Sequence, residues 1–111
     1  MQVYNLMKMG LDATNLRGQT IANNIANINT PGYKRKYVTF EETLKKSSKG
    51  ISIDDAKIEL KVDNSTTMRE DENNVDLEVE KVNQASNSLQ YNALITLTSS
   101  KLAMAKSVIK G

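Results

Sequence analysis

The feature that most constrains this chain is the segment 21–33, with the sequence IANNIANINTPGY. Ile21, Ile25 and Ile28 are spaced four and three residues apart, which places them on one face of a helix. The asparagines between them are poor helix formers, because their side chains compete for hydrogen bonds of the backbone. A helix of this composition is therefore expected to depend on packing against another element.

Two residues that follow the asparagines predict where this helix stops. Pro31 cannot continue a helix, and it disfavours the helical conformation at Thr30. Gly32 supplies a position suited to a tight turn. We therefore expect a first helix over residues 2–29, ended by Pro31 and Gly32.

The first helix also carries a heptad pattern. Residues spaced alternately three and four apart form a seam typical of a coiled-coil face, namely Tyr4, Met7, Leu11, Thr14, Gly18, Ile21, Ile25 and Ile28. Gly18 costs about 1 kcal/mol relative to Ala in a helix interior. It is interpreted either as a tolerated flaw or as a point where a second helix approaches closely.

The middle of the chain has a β character. Residues 36–40 alternate and are β-prone, as are residues 58–62, so each predicts a short strand. Ile51 and Ile53 indicate a further strand, which would form a hairpin with 58–62 around residues 54–55. The polar stretch 64–74 is predicted to be flexible.

Charge is unevenly distributed in the middle of the chain. Residues 31–50 carry a net charge of +4 (six basic, two acidic) and residues 51–73 a net charge of −4 (three basic, seven acidic). The two stretches are either solvated faces or complementary surfaces of neighbouring subunits. The basic run 34–36, flanked by Tyr33 and Tyr37, is too small a footprint to predict nucleic-acid binding.

The segment 74–110 predicts the longest helix, capped by Asn73 or Asn74. One apolar stripe comprises Val75, Val79, Val82, Leu89 and Ala93. After Tyr91 the apolar residues point in several directions, namely Leu94, Ile95, Leu97, Leu102, Met104, Val108 and Ile109. This breadth favours burial inside an assembly, with membrane contact as the weaker alternative.

Composition argues against an enzyme. The 111 residues include no His and no Cys, which removes the commonest general base, the commonest transition-metal ligand and every thiolate. We expect no catalytic residue, no metal, no cofactor and no small-molecule substrate. No run of about 18 apolar residues predicts a membrane span. The first residues do not resemble a cleaved signal peptide, which fits a cytoplasmic protein or export without cleavage.

Three segments, one near the start of the chain and two in its last third, carry a resemblance to a known family. The run ANNIANINTPGY at 22–33, together with NVDLEVE at 74–80 and LQYNAL at 89–94, resembles the rod and hook axial proteins of bacterial flagella, and most of all their proximal rod members. The resemblance implies a mainly α fold, in which two long terminal helices pair as a coiled coil with a short β-containing insert between them. It also implies a structural subunit of the proximal rod of the basal body, which assembles helically and transmits torque for motility.

The resemblance further implies partners and a location. Expected partners are other copies of the chain, other rod proteins, the membrane-ring adaptor region and the flagellar type III export apparatus. The expected location is the periplasmic rod, reached without a cleaved signal peptide. The alternative is a small cytoplasmic helical protein-binding module unrelated to flagella, which would be a stable monomer with one soluble partner.

The sequence divides into three expected parts: residues 1–30 and 74–111 as the helices of a coiled-coil domain, and residues 31–73 as the insert. The residues expected at the assembly interface lie on both helices and at the turn: Leu11, Gly18, Ile21, Asn24, Ile25, Asn27, Ile28, Pro31, Gly32, Tyr33, Leu89, Tyr91, Leu94, Leu97, Leu102 and Ile109.

Overall fold

The protein consists of two long helices with a small antiparallel hairpin between them, as predicted. A computed structural model describes residues 2–40, 57–67 and 69–110. The elements are α1 (Gln2–Ala26), β1 (Lys36–Thr39), β2 (Glu59–Val62) and α2 (Leu77–Lys110), in a molecule of 65 × 29 × 14 Å. The predicted strand at 51–53 and the turn at 54–55 lie outside the described residues.

The two helices run antiparallel and approach closely at glycines. A Cβ atom added at Gly10 would lie 3.3 Å from Leu94 Cδ1, and one added at Gly18 would lie 3.2 Å from Asn87 Nδ2. The structure therefore supports the close-approach interpretation of Gly18. Because Gly10 lies beside Leu94, the start of α1 is level with about residue 102, and the last ~12 Å of α2 extends beyond α1.

The first helix ends earlier than predicted. α1 stops at Ala26, five residues before Pro31, so the prediction that Pro31 ends the helix is wrong. The helical bond from Asn27 N to the carbonyl oxygen of Asn23 is still made, at 3.1 Å, and Asn27 Nδ2 adds a second bond to that oxygen at 2.8 Å. Ile28 N then donates to the carbonyl oxygen of Ile25, three residues back, at 3.2 Å, so the α-helical ladder ends here. A turn follows, and Gly32 in it adopts a left-handed conformation with φ 73°.

The second helix begins later than predicted and has a different cap. Asp76 Oδ1 accepts hydrogen bonds from the N–H groups of Glu78 (3.0 Å) and Val79 (3.3 Å), so Asp76 occupies the capping position before Leu77. The prediction of a cap at Asn73 or Asn74 is wrong, because both side chains bond elsewhere.

The hairpin supports α1 from one side. β1 and β2 pair with Lys36 opposite Val62 and Thr39 opposite Glu59, which confirms strands within 36–40 and 58–62. The buried Phe40 packs on Ala13 of α1, with Leu6, Met9 and Ile58 around them. These contacts form a small apolar cluster near the start of α1.

The buried face of each helix differs from the predicted apolar stripe. Of the predicted seam on α1, Met7, Thr14 and Ile21 are buried, whereas Tyr4, Leu11, Gly18, Ile25 and Ile28 are only partly so. Of the predicted second stripe, Val75 is buried just before α2 begins, whereas the members on α2 face solvent, with Val82 69% and Leu89 72% exposed. Glu80 and Asn87 are buried against α1 instead, where Glu80 Oε2 accepts from Asn24 Nδ2 and Asn87 Nδ2 donates to the carbonyl oxygen of Thr14.

Candidate functional site

A network of buried polar side chains joins the end of α1, the chain before β1 and the start of α2. We call it the polar clasp, and it comprises Asn24, Tyr33, Arg35, Asp63, Asn73, Asn74 and Glu80. Asn24, Asn73 and Glu80 have the largest fully buried side chains among the described residues. The interior at this end of the molecule is thus held by hydrogen bonds more than by apolar packing.

Asn24 occupies the centre of the clasp. Its Oδ1 accepts hydrogen bonds from the backbone N–H of Lys36 (2.9 Å) and from the hydroxyl of Tyr33 (2.9 Å). Its Nδ2 donates to the carbonyl oxygen of Lys36 (2.8 Å) and to Glu80 Oε2 (3.4 Å). One amide side chain therefore fastens α1 to β1 and to α2.

A salt bridge crosses the clasp. Arg35 Nε donates to Glu80 Oε1 at 2.8 Å, and Arg35 Nη1 donates to Asp63 Oδ2 at 3.3 Å. The guanidinium also lies 5.7 Å from the centre of the Tyr37 ring, within the range of a cation–π contact. A single cation therefore links α2 to both strands of the hairpin.

Two adjacent asparagines complete the clasp. Asn73 Nδ2 donates to the carbonyl oxygens of Asn27 (2.8 Å) and Thr30 (2.9 Å), which follow the end of α1. Asn74 Oδ1 accepts from the backbone N–H of Arg35 at 2.7 Å, while its Nδ2 donates to the carbonyl oxygen of Asp63 at 2.8 Å. The segment before α2, which was expected to be flexible, is thus tied to the rest of the molecule here.

The clasp shifts the pKa of its ionisable groups. Burial raises the pKa of the Tyr33 hydroxyl, and the nearby charge of Glu80 raises it further. Burial lowers the pKa of Arg35, but the hydrogen bonds and charges of Glu80 and Asp63 outweigh it and raise the pKa overall. Hydrogen bonds from Ser65 lower the pKa of Asp63, against the effect of burial, and Arg35 lowers it further.

The lowered pKa of Asp63 predicts a contribution to acid sensitivity. The stability from its carboxylate is complete above the unfolded-state pKa of about 3.9 and is lost as the pH falls through the lower folded-state value. In Asp63→Asn, we expect the stability deficit relative to the wild type to be constant above about pH 5 and to shrink below about pH 4. Urea unfolding across this range measures it, with the exposed Asp12→Asn as the control. A deficit that does not change with pH would contradict the prediction.

The residues expected at the assembly interface separate into two groups. Those on α1 and in the turn lie mainly inside the molecule: Ile21 and Asn24 are buried, Leu11, Gly18, Ile25, Asn27, Ile28 and Tyr33 are partly buried, and only Pro31 and Gly32 are exposed. Those on α2 face outward except Leu94: Leu89, Tyr91, Leu97, Leu102 and Ile109 are exposed, the last by 84%. The asparagine-rich segment is thus an internal fastening, and α2 supplies the free surface.

Exposed apolar side chains follow the outer side of α2 over most of its length. We call them the α2 apolar face: Val79, Val82, Leu89, Leu97, Met104 and Val108. Beside it an apolar groove of about 590 Å³ lies between the helices, lined by Leu6, Met7, Phe40, Leu94 and Leu97 among others. Apolar surface on this scale is typical of a protein–protein contact.

The described residues show neither a metal-binding cluster nor a membrane span. Within 2–40, 57–67 and 69–110, no cluster of three or more His, Cys, Asp or Glu residues could hold a metal ion. None of the described helices has the length and apolarity to cross a membrane. The basic run is used internally, since Arg35 joins the clasp and Lys34 Nζ donates to the carbonyl oxygen of Glu72 at 2.6 Å.

Sequence reasoning missed much of the clasp. The sequence places Arg35 only in a basic run, Glu80 only within the motif at 74–80, and Asn73 only as a candidate helix cap. A buried carboxylate needs a cation as its partner. The one signal for the clasp in the sequence would therefore be an acidic residue on the inward face of a helix. Its inward position became known only from the structure.

Comparisons with known proteins agree on one family. A family model described as "Flagella basal body rod protein" matches residues 9–34, which include Asn24 and Tyr33 of the clasp. The chain is 30% identical to the flagellar basal body rod protein FlgB of Borreliella burgdorferi, over 76% of this chain and 78% of the relative. It is 29% identical to FlgB of Bacillus subtilis, over 95% of this chain and 91% of the relative. FlgB of Buchnera aphidicola is also 29% identical, over 97% and 94%.

Proposed function

Because the chain belongs to the flagellar basal body rod protein family, we propose that it is a structural subunit of the proximal rod, the part formed by FlgB-like proteins. The observation that carries the proposal is the α2 apolar face, which an isolated helix pair leaves in water. Neighbouring subunits would remove this face from water, and burial of apolar area is the main driving force of such association.

The polar clasp suits a subunit that transmits torque. Torque passes through a rod only if each subunit resists deformation under load. Asn24, Arg35 and Asn73 each bond groups from different parts of the chain, so α1, the hairpin and α2 would move as one body. Two coiled-coil segments, 1–30 and 74–111, would then carry the load, with the described parts of the insert, 31–40, 57–67 and 69–73, fastened between them.

Partners and location follow from the family. The proposed partners are other copies of this chain, other rod proteins, the membrane-ring adaptor region and the flagellar type III export apparatus. The proposed location is the periplasmic part of the basal body, reached without a cleaved signal peptide. The support for these assignments is the similarity to FlgB proteins. No observation on the described residues favours the small cytoplasmic binding module.

Leu89→Asp tests the assembly role of the α2 apolar face. Leu89 is 72% exposed in the isolated chain, so we expect the unfolding free energy to change by no more than about 0.5 kcal/mol. In the rod the same charge would be buried without a partner, which is strongly unfavourable. Rod assembly and swimming should therefore be lost in cells that carry only this variant.

The matched control is Ser88→Asp, which adds the same charge at an exposed position of α2 about 100° around the helix from Leu89, on the side opposite the face. It should assemble and support swimming. The readouts are swimming in soft agar and electron microscopy of purified basal bodies, with immunoblots to verify synthesis. Normal motility of the Leu89→Asp strain would contradict the proposed interface.

A further inference from the structure

No described residue pairs with the outer edge of β2, whose other edge is hydrogen-bonded to β1. Asp63 N donates to the carbonyl oxygen of Arg35 at 2.9 Å, so Asp63 directs its backbone groups toward β1. Successive residues of a strand direct their backbone groups to opposite edges, so those of Leu60 and Val62 point away from β1. Their side chains are 53% and 47% exposed. Unpaired backbone groups flanked by exposed apolar side chains are a template for another strand.

The sequence around this edge is complementary to itself. Residues 57–63 read KIELKVD, with Leu60 at the centre. In an antiparallel pair of two such segments with Leu60 opposite Leu60, Ile58 faces Val62, Glu59 faces Lys61 and Lys57 faces Asp63. Every charge meets its opposite, and every apolar residue meets another apolar residue.

We propose that the edge of β2 binds the same edge of a second copy of this chain, joining two hairpins into one four-stranded antiparallel sheet. The directions of the backbone groups support this register. With Leu60 on the twofold axis, the groups that must hydrogen-bond to the second copy are those of Leu60 and Val62, and these point outward. Glu59 and Lys61 then form two oppositely charged cross-strand pairs, one on each side of the axis.

The chemistry of the edge favours a second copy over an unrelated strand. A foreign segment would have to match the alternating acidic and basic side chains by coincidence, whereas a second copy matches them by symmetry. The contact is isologous and closes on itself, so it cannot propagate along a rod whose subunits all point the same way. The dimer is therefore a form of the unassembled chain, and it is independent of the proposed rod function.

Charge-reversed variants test the pairing. Glu59→Lys places lysines opposite lysines, and Lys61→Glu places glutamates opposite glutamates, so each variant alone should dimerise at least about tenfold more weakly than the wild type. A mixture of the two variants restores opposite charges at both cross-strand positions and should form a heterodimer. Neither variant keeps the Glu59–Lys61 contact within one chain, which is 3.8 Å long here, so recovery in the mixture can come only from pairing between chains.

Sedimentation equilibrium of the full chain, from about 10 µM to about 1 mM, measures the dimer. The exposed Lys8→Glu on α1 changes the net charge as Lys61→Glu does, and it should dimerise like the wild type. Circular dichroism establishes that each variant is folded. A wild type that stays monomeric throughout, as it would if the strand predicted at 51–53 paired with this edge of β2, overturns the proposal. Charge-reversed variants that dimerise normally, or a mixture that stays monomeric, overturn it as well.

Discussion

Arg35→Met is expected to destabilise the isolated chain by about 3–5 kcal/mol. The substitution keeps an unbranched side chain but removes the cation from Glu80, whose carboxylate is fully buried and 2.8 Å from Arg35 Nε. Among the described residues, the weaker bond from Asn24 Nδ2, at 3.4 Å, would then be the only remaining side-chain hydrogen bond to this carboxylate. The loss is comparable with the whole stability of many small domains, so the variant should be largely unfolded near room temperature.

The measurement is urea unfolding followed by circular dichroism, with Lys61→Met as the matched control. Lys61 forms an exposed pair with Glu59 at 3.8 Å, and such pairs contribute little. The control should therefore change the unfolding free energy by no more than about 0.5 kcal/mol. Equal effects of the two substitutions would show that burial of the Arg35 pair has no energetic consequence.

A second substitution separates charge from packing. Glu80→Gln removes the buried charge, so adding it to Arg35→Met should recover a large part of the lost stability. If Arg35 instead acts through packing on Tyr37, 5.7 Å away, the two effects would add without recovery. The double-mutant cycle therefore reports the coupling between Arg35 and Glu80.

The architecture could be predicted from the sequence because its signals are local and repeated. Heptad spacing on α1 and β-prone alternation at 36–40 and 58–62 each identify an element without reference to the rest of the chain. The resemblance to the family predicted in addition that the two helices pair with each other. The helix ends were predicted less well, since α1 ends where Ile28 N bonds to the carbonyl oxygen of Ile25, and α2 begins after the cap formed by Asp76.

The face that each helix turns toward the interior could not be predicted, because it depends on hydrogen-bond partners that are distant in the sequence. A helical pattern places Ile25 on the apolar seam, but the structure buries Asn24 completely and Ile25 only partly. Asn24 is buried because Lys36 and Glu80 supply partners 12 and 56 residues away. Periodicity counts apolar residues, so it predicts the wrong inward face where polar groups satisfy one another.

Because polar side chains rather than apolar ones face inward, one short chain can serve two kinds of contact: those within the helix pair and the proposed contacts with neighbouring subunits. Hydrogen bonds in the polar clasp hold the helix pair together, so the apolar side chains of α2, such as Leu89 and Met104, stay available for neighbours. A helix pair with a fully apolar seam would bury those side chains within itself. The clasp therefore separates internal cohesion from assembly.

Asn24→Leu tests this internal role of the asparagine-rich segment. Leu is similar in size but makes no hydrogen bonds, so the backbone N–H and C=O of Lys36 and the hydroxyl of Tyr33 would lose their partner. A buried group left without a partner costs about 1–3 kcal/mol, so we expect a loss on the order of 3–5 kcal/mol for the set. Urea unfolding by circular dichroism measures the loss.

The neighbouring Asn23→Leu is the control, because it makes the same chemical change at an exposed position of the same helix. Leu is a better helix former than Asn, so this variant should be as stable as the wild type or a few tenths of a kcal/mol more stable. Amide exchange adds a local readout: in Asn24→Leu the N–H of Lys36 should exchange faster, because its acceptor at 2.9 Å is gone.

The two variants also distinguish the internal role of Asn24 from a role at the subunit interface. If Asn24 acts through contacts with neighbouring subunits, its replacement would leave the isolated chain as stable as Asn23→Leu does, and only rod assembly would fail. If it acts as described here, the isolated chain itself loses stability, and motility falls because less folded subunit is available. Equal stability of Asn24→Leu and Asn23→Leu would therefore refute the clasp as the source of cohesion, since Asn24 is fully buried at its centre.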